Sequence, residues 1–105
     1  MKTNTNSVTT TSSLRGDALL AMIGNTPMIP LHFPEENRTI WAKCEFLNPS
    51  GSIKDRLART IVLDAESHGL LHRESIILEC TSGNTGISFA MVGAARGYRV
   101  AIVMS

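Results

Sequence analysis

Ser75-Ile76-Ile77-Leu78-Glu79-Cys80, then Thr81-Ser82-Gly83-Asn84-Thr85-Gly86, and further on Gly97 followed by Arg99-Val100-Ala101-Ile102-Val103-Met104, form the stretch that decides the fold. The first run is short, apolar and β-branched, as in a parallel strand covered on both faces. The small-residue loop after it opens a helix that runs to about Arg96, where Gly97 ends it. Strand, helix, strand at this spacing is a βαβ unit with an expected right-handed crossover. The class is therefore α/β, part of a three-layer open sheet. Ligand crevices in such sheets lie beyond the carboxyl ends of the strands. The 81–86 loop falls at that place.

Working outward, Asn48-Pro49-Ser50-Gly51-Ser52 breaks a strand and leads into another helix. Ser52 is its expected N-cap, and Asp55 is an acid in its first turn. Ile53, Leu57, Ile61 and Ala65 follow at spacing four, with Ala58 and Val62 beside them, and predict the buried face. Gly69 ends this helix. Upstream, Thr39 to Phe46 alternates through Ile40, Ala42, Cys44 and Phe46 and predicts a strand. Pro34 to Asn37 is a polar turn. Met28 to Leu31 is a short strand, with Pro30 implying an edge. Gly24-Asn25-Thr26-Pro27 is a turn. Asp17 is positioned to cap a short helix through Ala18–Met22. Order is expected from near Leu14, and residues 1–13 are expected to be a disordered tail.

The chain has 105 residues, 43% hydrophobic and 18% charged, which suits one small globular domain. A net charge of +1, scattered basic residues, one Trp, one Tyr and three Phe argue against nucleic acid and anionic membrane as partners. No run approaches the roughly 20 apolar residues of a membrane span. The first thirteen residues lack the apolar core of a secretory signal. Cys44 and Cys80 make neither a disulfide framework nor a metal site and are expected as reduced core thiols of a cytoplasmic protein. His32, His68 and His72 are expected to be solvated.

Two loops carry candidate chemistry. Lys54 stands at the start of a helix, where the dipole disfavours a cation and favours a neutral amine. A neutral amine is what condensation with an aldehyde requires. The plainer reading is a surface lysine paired with Asp55. The second loop, Thr81 to Gly86, offers hydroxyls and backbone N–H groups at a helix start, a cradle for a carboxylate or phosphate. It is neither a Walker loop nor a dinucleotide fingerprint. Its plainer reading is a tight βα turn with an Asn cap.

Taken together with Ile23-Gly24-Asn25-Thr26-Pro27, the segments Glu45-Phe46-Leu47-Asn48-Pro49-Ser50-Gly51-Ser52-Ile53-Lys54-Asp55-Arg56 and Thr81-Ser82-Gly83-Asn84-Thr85-Gly86-Ile87-Ser88 are specific. They resemble the cysteine synthase and cystathionine β-synthase group of the tryptophan-synthase-β-like (fold type II) pyridoxal-phosphate enzymes, from Leu14 to Ser105. The resemblance implies pyridoxal 5'-phosphate as cofactor. Lys54 would be the catalytic residue, bonded to the cofactor and moving protons at the substrate α-carbon. Asn84 would hydrogen-bond the cofactor's ring oxygen. Thr81, Ser82, Gly83 and Thr85 would hold the substrate carboxylate, and no metal is implied. The implied reaction is β-replacement on O-acetylserine, or serine, with sulfide to form L-cysteine. The alternatives are a serine-using cystathionine β-synthase-like lyase and a non-catalytic binding remnant. Family members carry a Gly/Thr-rich phosphate loop and a hydroxyl facing the pyridine nitrogen further on. Residues 14–105 are therefore expected to be the amino-terminal portion of such an enzyme, incomplete relative to the family fold. The complete enzyme would be a cytoplasmic homodimer acting on a small amino acid.

Overall fold

The two apolar runs of the βαβ stretch lie side by side in parallel, Ile76 opposite Arg99 through Cys80 opposite Val103. This computed structural model describes residues 16–104. In chain order its elements are α1 (16–21), β1 (Met28–Phe33), β2 (Arg38–Lys43), a 3-10 turn at Glu45–Leu47, α2 (Lys54–Ser67), β3 (Ile76–Cys80), α3 (Asn84–Ala95) and β4 (Arg99–Val103). The α/β class with a parallel βαβ unit is as expected. The predicted tail at 1–13 and the start of order at Leu14 lie outside the described residues.

Gly69 and Gly97 end their helices with φ of +67° and +83°, a backbone that costs other residues energy. Tyr98 N–H then returns to the Gly93 carbonyl at 2.8 Å and turns the chain into β4. Gly93 lets α3 lie close on that strand, since a Cβ there would stand 2.3 Å from Val100 Cγ2.

The core is formed by Leu20 and Ile23, Ala58 and Val62 of α2, and Phe89 and Val92 of α3, with Ile77 and Val100 packed beneath. Helices α2 and α3 run in the same direction. Near their starts Ser88 Oγ donates to Asp55 at 2.7 Å, and near their ends Arg96 reaches Glu66 at 2.8 Å. Tyr98 also donates to Glu66.

Several expectations need correction. The buried row of α2 is Asp55, Ala58 and Val62, whereas Leu57 is 42% and Ile61 47% exposed. Apart from Asp55 both rows are apolar, and the small side chain of Ala58 favours the close approach that α3 requires. Strands β3 and β4 are covered on one face only among the described residues: Ile77, Val100 and Ile102 are half-buried, while Ile76, Leu78 and Val103 are exposed. The described residues thus hold part of the expected three-layer sheet, a helical layer on one face of a parallel pair. Cys44 is buried, but Cys80 is exposed at the end of β3. Asp17 lies inside α1 and pairs with Arg96 at 2.7 Å instead of capping the helix.

The β1–β2 hairpin pairs Met28 with Lys43 through Phe33 with Arg38, around a turn at 34–37 where Asn37 takes φ +48°. Its side chains are exposed except for half-buried Ala42. Strand β2 stops at Lys43 rather than continuing to Phe46. The reason lies in Glu45, whose carboxylate takes Arg56 Nε at 2.6 Å and Nη2 at 3.0 Å in a two-pronged pair. Thr26 Oγ1 donates to the same carboxylate. Asn48 donates to the Glu45 carbonyl and accepts Gly24 N–H at 2.7 Å, which ties the 24–27 turn into this knot.

The hydrogen bonds from Arg56 and Thr26 pull the Glu45 carboxyl from its ordinary 4.5 down to about 2. A carboxyl lowered by folding contributes stability that is full above its unfolded value and is lost as pH falls through the folded one. The Glu45 contribution should therefore fade between about 4.5 and about 2. Glu45→Gln is expected to lower stability at neutral pH and to flatten this acid limb, followed by circular dichroism. An unchanged slope would exclude Glu45 as an acid-sensitive group. Glu66 supplies a smaller share. Burial, the largest influence on it, raises its carboxyl, but the bonds from Arg96 and Tyr98 together outweigh this and leave it lowered.

Candidate active site

Both candidate loops emerge at the same end of the fold. Thr81 N–H donates to the Val103 carbonyl at 3.0 Å, so the 81–86 loop leaves from the carboxyl edge of the parallel pair. Lys54 is the first residue of α2 and Asn84 the first of α3. The Asp55–Ser88 hydrogen bond joins the second residue of one helix to the fifth of the other, so these starts are neighbours. Two positive helix ends thus converge where an anion is favoured.

The loop into α2 turns at Gly51, whose φ is +98° and whose N–H reaches the Asn48 carbonyl at 2.8 Å. Ser52 Oγ accepts Lys54 N–H at 3.2 Å, but the cap position expected for Ser52 is held by Ile53, which already has helical backbone angles. Lys54 is exposed, and its amine bonds to no group among the described residues. The plainer reading, an ion pair with Asp55, does not hold. Asp55 points the other way, has no exposure, and accepts Ser50 N–H at 2.8 Å, Ser50 Oγ and Ser88 Oγ.

In the second loop the Gly83 carbonyl accepts Gly86 N–H at 3.0 Å and Ile87 N–H at 3.3 Å. Gly83 N–H donates to Thr81 Oγ1 at 3.3 Å. A Cβ at Gly86 would stand 2.6 Å from Thr81 Cγ2, so a glycine here lets Thr81 hold its rotamer under the helix start. Asn84 is not the cap. Gly83 occupies that position, which leaves the Asn84 carboxamide exposed and unbonded among the described residues. The N–H groups of Ser82, Asn84 and Thr85 are likewise unspent there, as helix geometry requires of a first turn. Ser82 and Gly83 are exposed, while Thr81 and Thr85 are half-buried.

All six predicted site residues therefore lie on two adjoining helix starts. Sequence reasoning missed what lies beneath them, the Ser50–Asp55–Ser88 cluster. Its one signal was Ser88, a small hydroxyl within an otherwise apolar helix. No group of metal-binding side chains is present among the described residues. No helix there is long and apolar enough to cross a membrane.

Residues 19–105 match the family described as pyridoxal-phosphate dependent enzyme. O-ureido-L-serine synthase of Streptomyces lavendulae is 52% identical over 89 residues, covering 84% of this chain and 28% of that protein. A probable cysteine synthase of Bacillus subtilis is 51% identical over 85 residues, 79% of this chain and 27% of that protein. Among solved structures, a hydrogen sulfide-producing enzyme from Fusobacterium nucleatum superposes with a TM-score of 0.78 at 40% identity, over 82% of this chain and 29% of that one. The chain thus spans little more than a quarter of the length of these relatives.

Proposed function

The chain belongs to the pyridoxal-phosphate dependent enzymes, and we propose that it forms the amino-terminal portion of one that replaces the β-substituent of O-acetylserine, or serine, with sulfide to give L-cysteine. One observation carries this reading. Among the described residues, an unpaired lysine and an unpaired asparagine open two parallel helices joined at their starts, beside a loop with unspent amides. These residues suit the cofactor of the family. An amine is available for its aldehyde, a carboxamide for its ring oxygen, and N–H groups for an amino-acid carboxylate.

When bound, pyridoxal phosphate supplies an electron sink for negative charge at the substrate α-carbon. Lys54 would hold the cofactor and then move the proton at that carbon, acting from an exposed amine with no bonded partner among the described residues. Asn84 would orient the ring by donating from its carboxamide. Thr81, Ser82, Gly83 and Thr85, with the unspent amides of the loop and the first turn of α3, would grip the carboxylate and so present the α-hydrogen to Lys54. Residues 14–105 would be the amino-terminal part of a homodimeric cytoplasmic enzyme.

Tests belong in a polypeptide that carries this chain at the head of a family-length enzyme. Thr81→Ala and Thr85→Ala should each weaken amino-acid binding by about 1.5–3 kcal/mol, the worth of a hydrogen bond to a charged group. The cofactor's visible absorbance should persist. Loss of cofactor with substrate affinity intact would assign the loop to the wrong ligand. Cysteine formation from O-acetylserine and sulfide checks the reaction. Cystathionine from serine and homocysteine as the main product would select the lyase instead.

A further inference from the structure

Asp55 is the buried carboxylate that the proposed chemistry does not use. It is fully inaccessible, and no Lys or Arg reaches it among the described residues. Oδ2 accepts Ser50 N–H at 2.8 Å, while Oδ1 accepts Ser50 Oγ and, at 2.7 Å, Ser88 Oγ. The two hydroxyls also lie 3.1 Å from each other. A buried anion is costly unless it is hydrogen-bonded, and here the donors are neutral, aided by the positive start of α2.

The placement of these partners gives the cluster its meaning. Ser50 lies on the loop that delivers Lys54, Asp55 follows Lys54 directly, and Ser88 stands one turn into the helix that Asn84 begins. One carboxylate thus ties the loop, the lysine's helix and the asparagine's helix together from beneath. An asparagine could not serve equally. Accepting both hydroxyls on its oxygen would aim its NH₂ at the Ser50 N–H, donor against donor. Apolar packing alone would join the helices as firmly, so the anion is informative about placement more than about cohesion.

We propose that Asp55, through Ser50 and Ser88, is a positioning residue that sets the Lys54 amine and the Asn84 carboxamide at the separation one pyridine ring requires. The proposal rests on the reading of Lys54 and Asn84 as cofactor residues.

Its test uses the family-length polypeptide that carries this chain at its head, pyridoxal phosphate and borohydride, with peptide mapping of the label fixed on this chain's lysines. The chain has three lysines, Lys2, Lys43 and Lys54. Lys43 bonds to the Thr26 carbonyl, away from the Asp55 cluster, and serves as the internal reference. Label should favour Lys54 over Lys43 in the unmodified chain. That preference should fall about tenfold, the equivalent of one hydrogen bond, in Ser88→Ala and in Ser50→Ala, and further in Asp55→Asn. Ser50→Thr, which keeps the hydroxyl, should restore it. All variants are compared below their unfolding temperatures by circular dichroism. Asn84→Ala should lower Lys54 labelling in the unmodified chain yet have little further effect beside Ser88→Ala, because the alignment that makes Asn84 useful is already lost. Folded serine variants that keep the full preference, or Asn84 and Ser88 effects that simply add, would overturn the proposal. Absence of any Lys54 preference in the unmodified chain would instead overturn the cofactor reading, and this proposal with it.

Discussion

Replacing Lys54 with Ala in a family-length enzyme is expected to abolish β-replacement. The loss should reach at least about 10²–10⁴-fold, the range for a positioned proton-transfer group, with the covalent hold on the cofactor lost in addition. The visible absorbance of the bound cofactor should vanish, and borohydride should fix label on Lys54 in the unmodified enzyme only. Stability should hardly move. Lys54 is exposed and unbonded among the described residues, and such surface changes stay within about 0.5 kcal/mol. The combination of lost chemistry with retained folding separates a site residue from a structural one. Label found on Lys43 instead would sink the assignment, since Lys43 sits on the hairpin with its amine turned to the Thr26 carbonyl.

The largest effect on stability is expected at Phe89. It is 3% exposed in α3 and joins that helix to the core formed with α2. Phe89→Ala should cost about 3–5 kcal/mol, the transfer of a large ring to water plus the cavity left behind. Against a total of roughly 5–15 kcal/mol for a domain, that is a large share of the stability, and at the lower bound it leaves only about half of the molecules folded. Leu57→Ala makes the discriminating comparison. Helical spacing alone puts Leu57 on the buried face of α2, but it is 42% exposed. Its truncation should therefore cost about 1 kcal/mol or less. Urea unfolding of both variants checks this. Equal losses would mean that α2 turns its Leu57 row inward.

Much of the fold was legible in the chain because its signals are short. Gly69 and Gly97 end helices where left-handed backbone is needed, Pro34 to Asn37 turns the hairpin, and two apolar runs flank the small-residue loop. Each such feature is decided within a few residues, so the order of elements and the place of Lys54 and Asn84 at helix starts could be read directly. The same was true of the unspent amides of the 81–86 loop, which follow from any helix beginning there.

The failures share the opposite property. Strand alternation ran on to Phe46, but Glu45 is captured by Arg56, eleven residues away, and the strand ends at Lys43. Spacing on α2 offered two apolar rows, and it took α3 to select the one with Ala58 and Val62. The run at 76–80 read as buried on both faces, yet whether a second face is covered depends on what packs there, not on the strand's own residues. Asp55 read as a surface partner for Lys54. Its burial depends on hydroxyls at Ser50 and Ser88, the second of them 33 positions away. Sequence by itself determined the order of the elements, most of their ends and the place of the two candidate loops, because dihedral preference and local hydrogen bonding act over a turn or two. Only the tertiary structure decided which faces meet and where the buried carboxylate points, because those outcomes depend on partners distant along the chain.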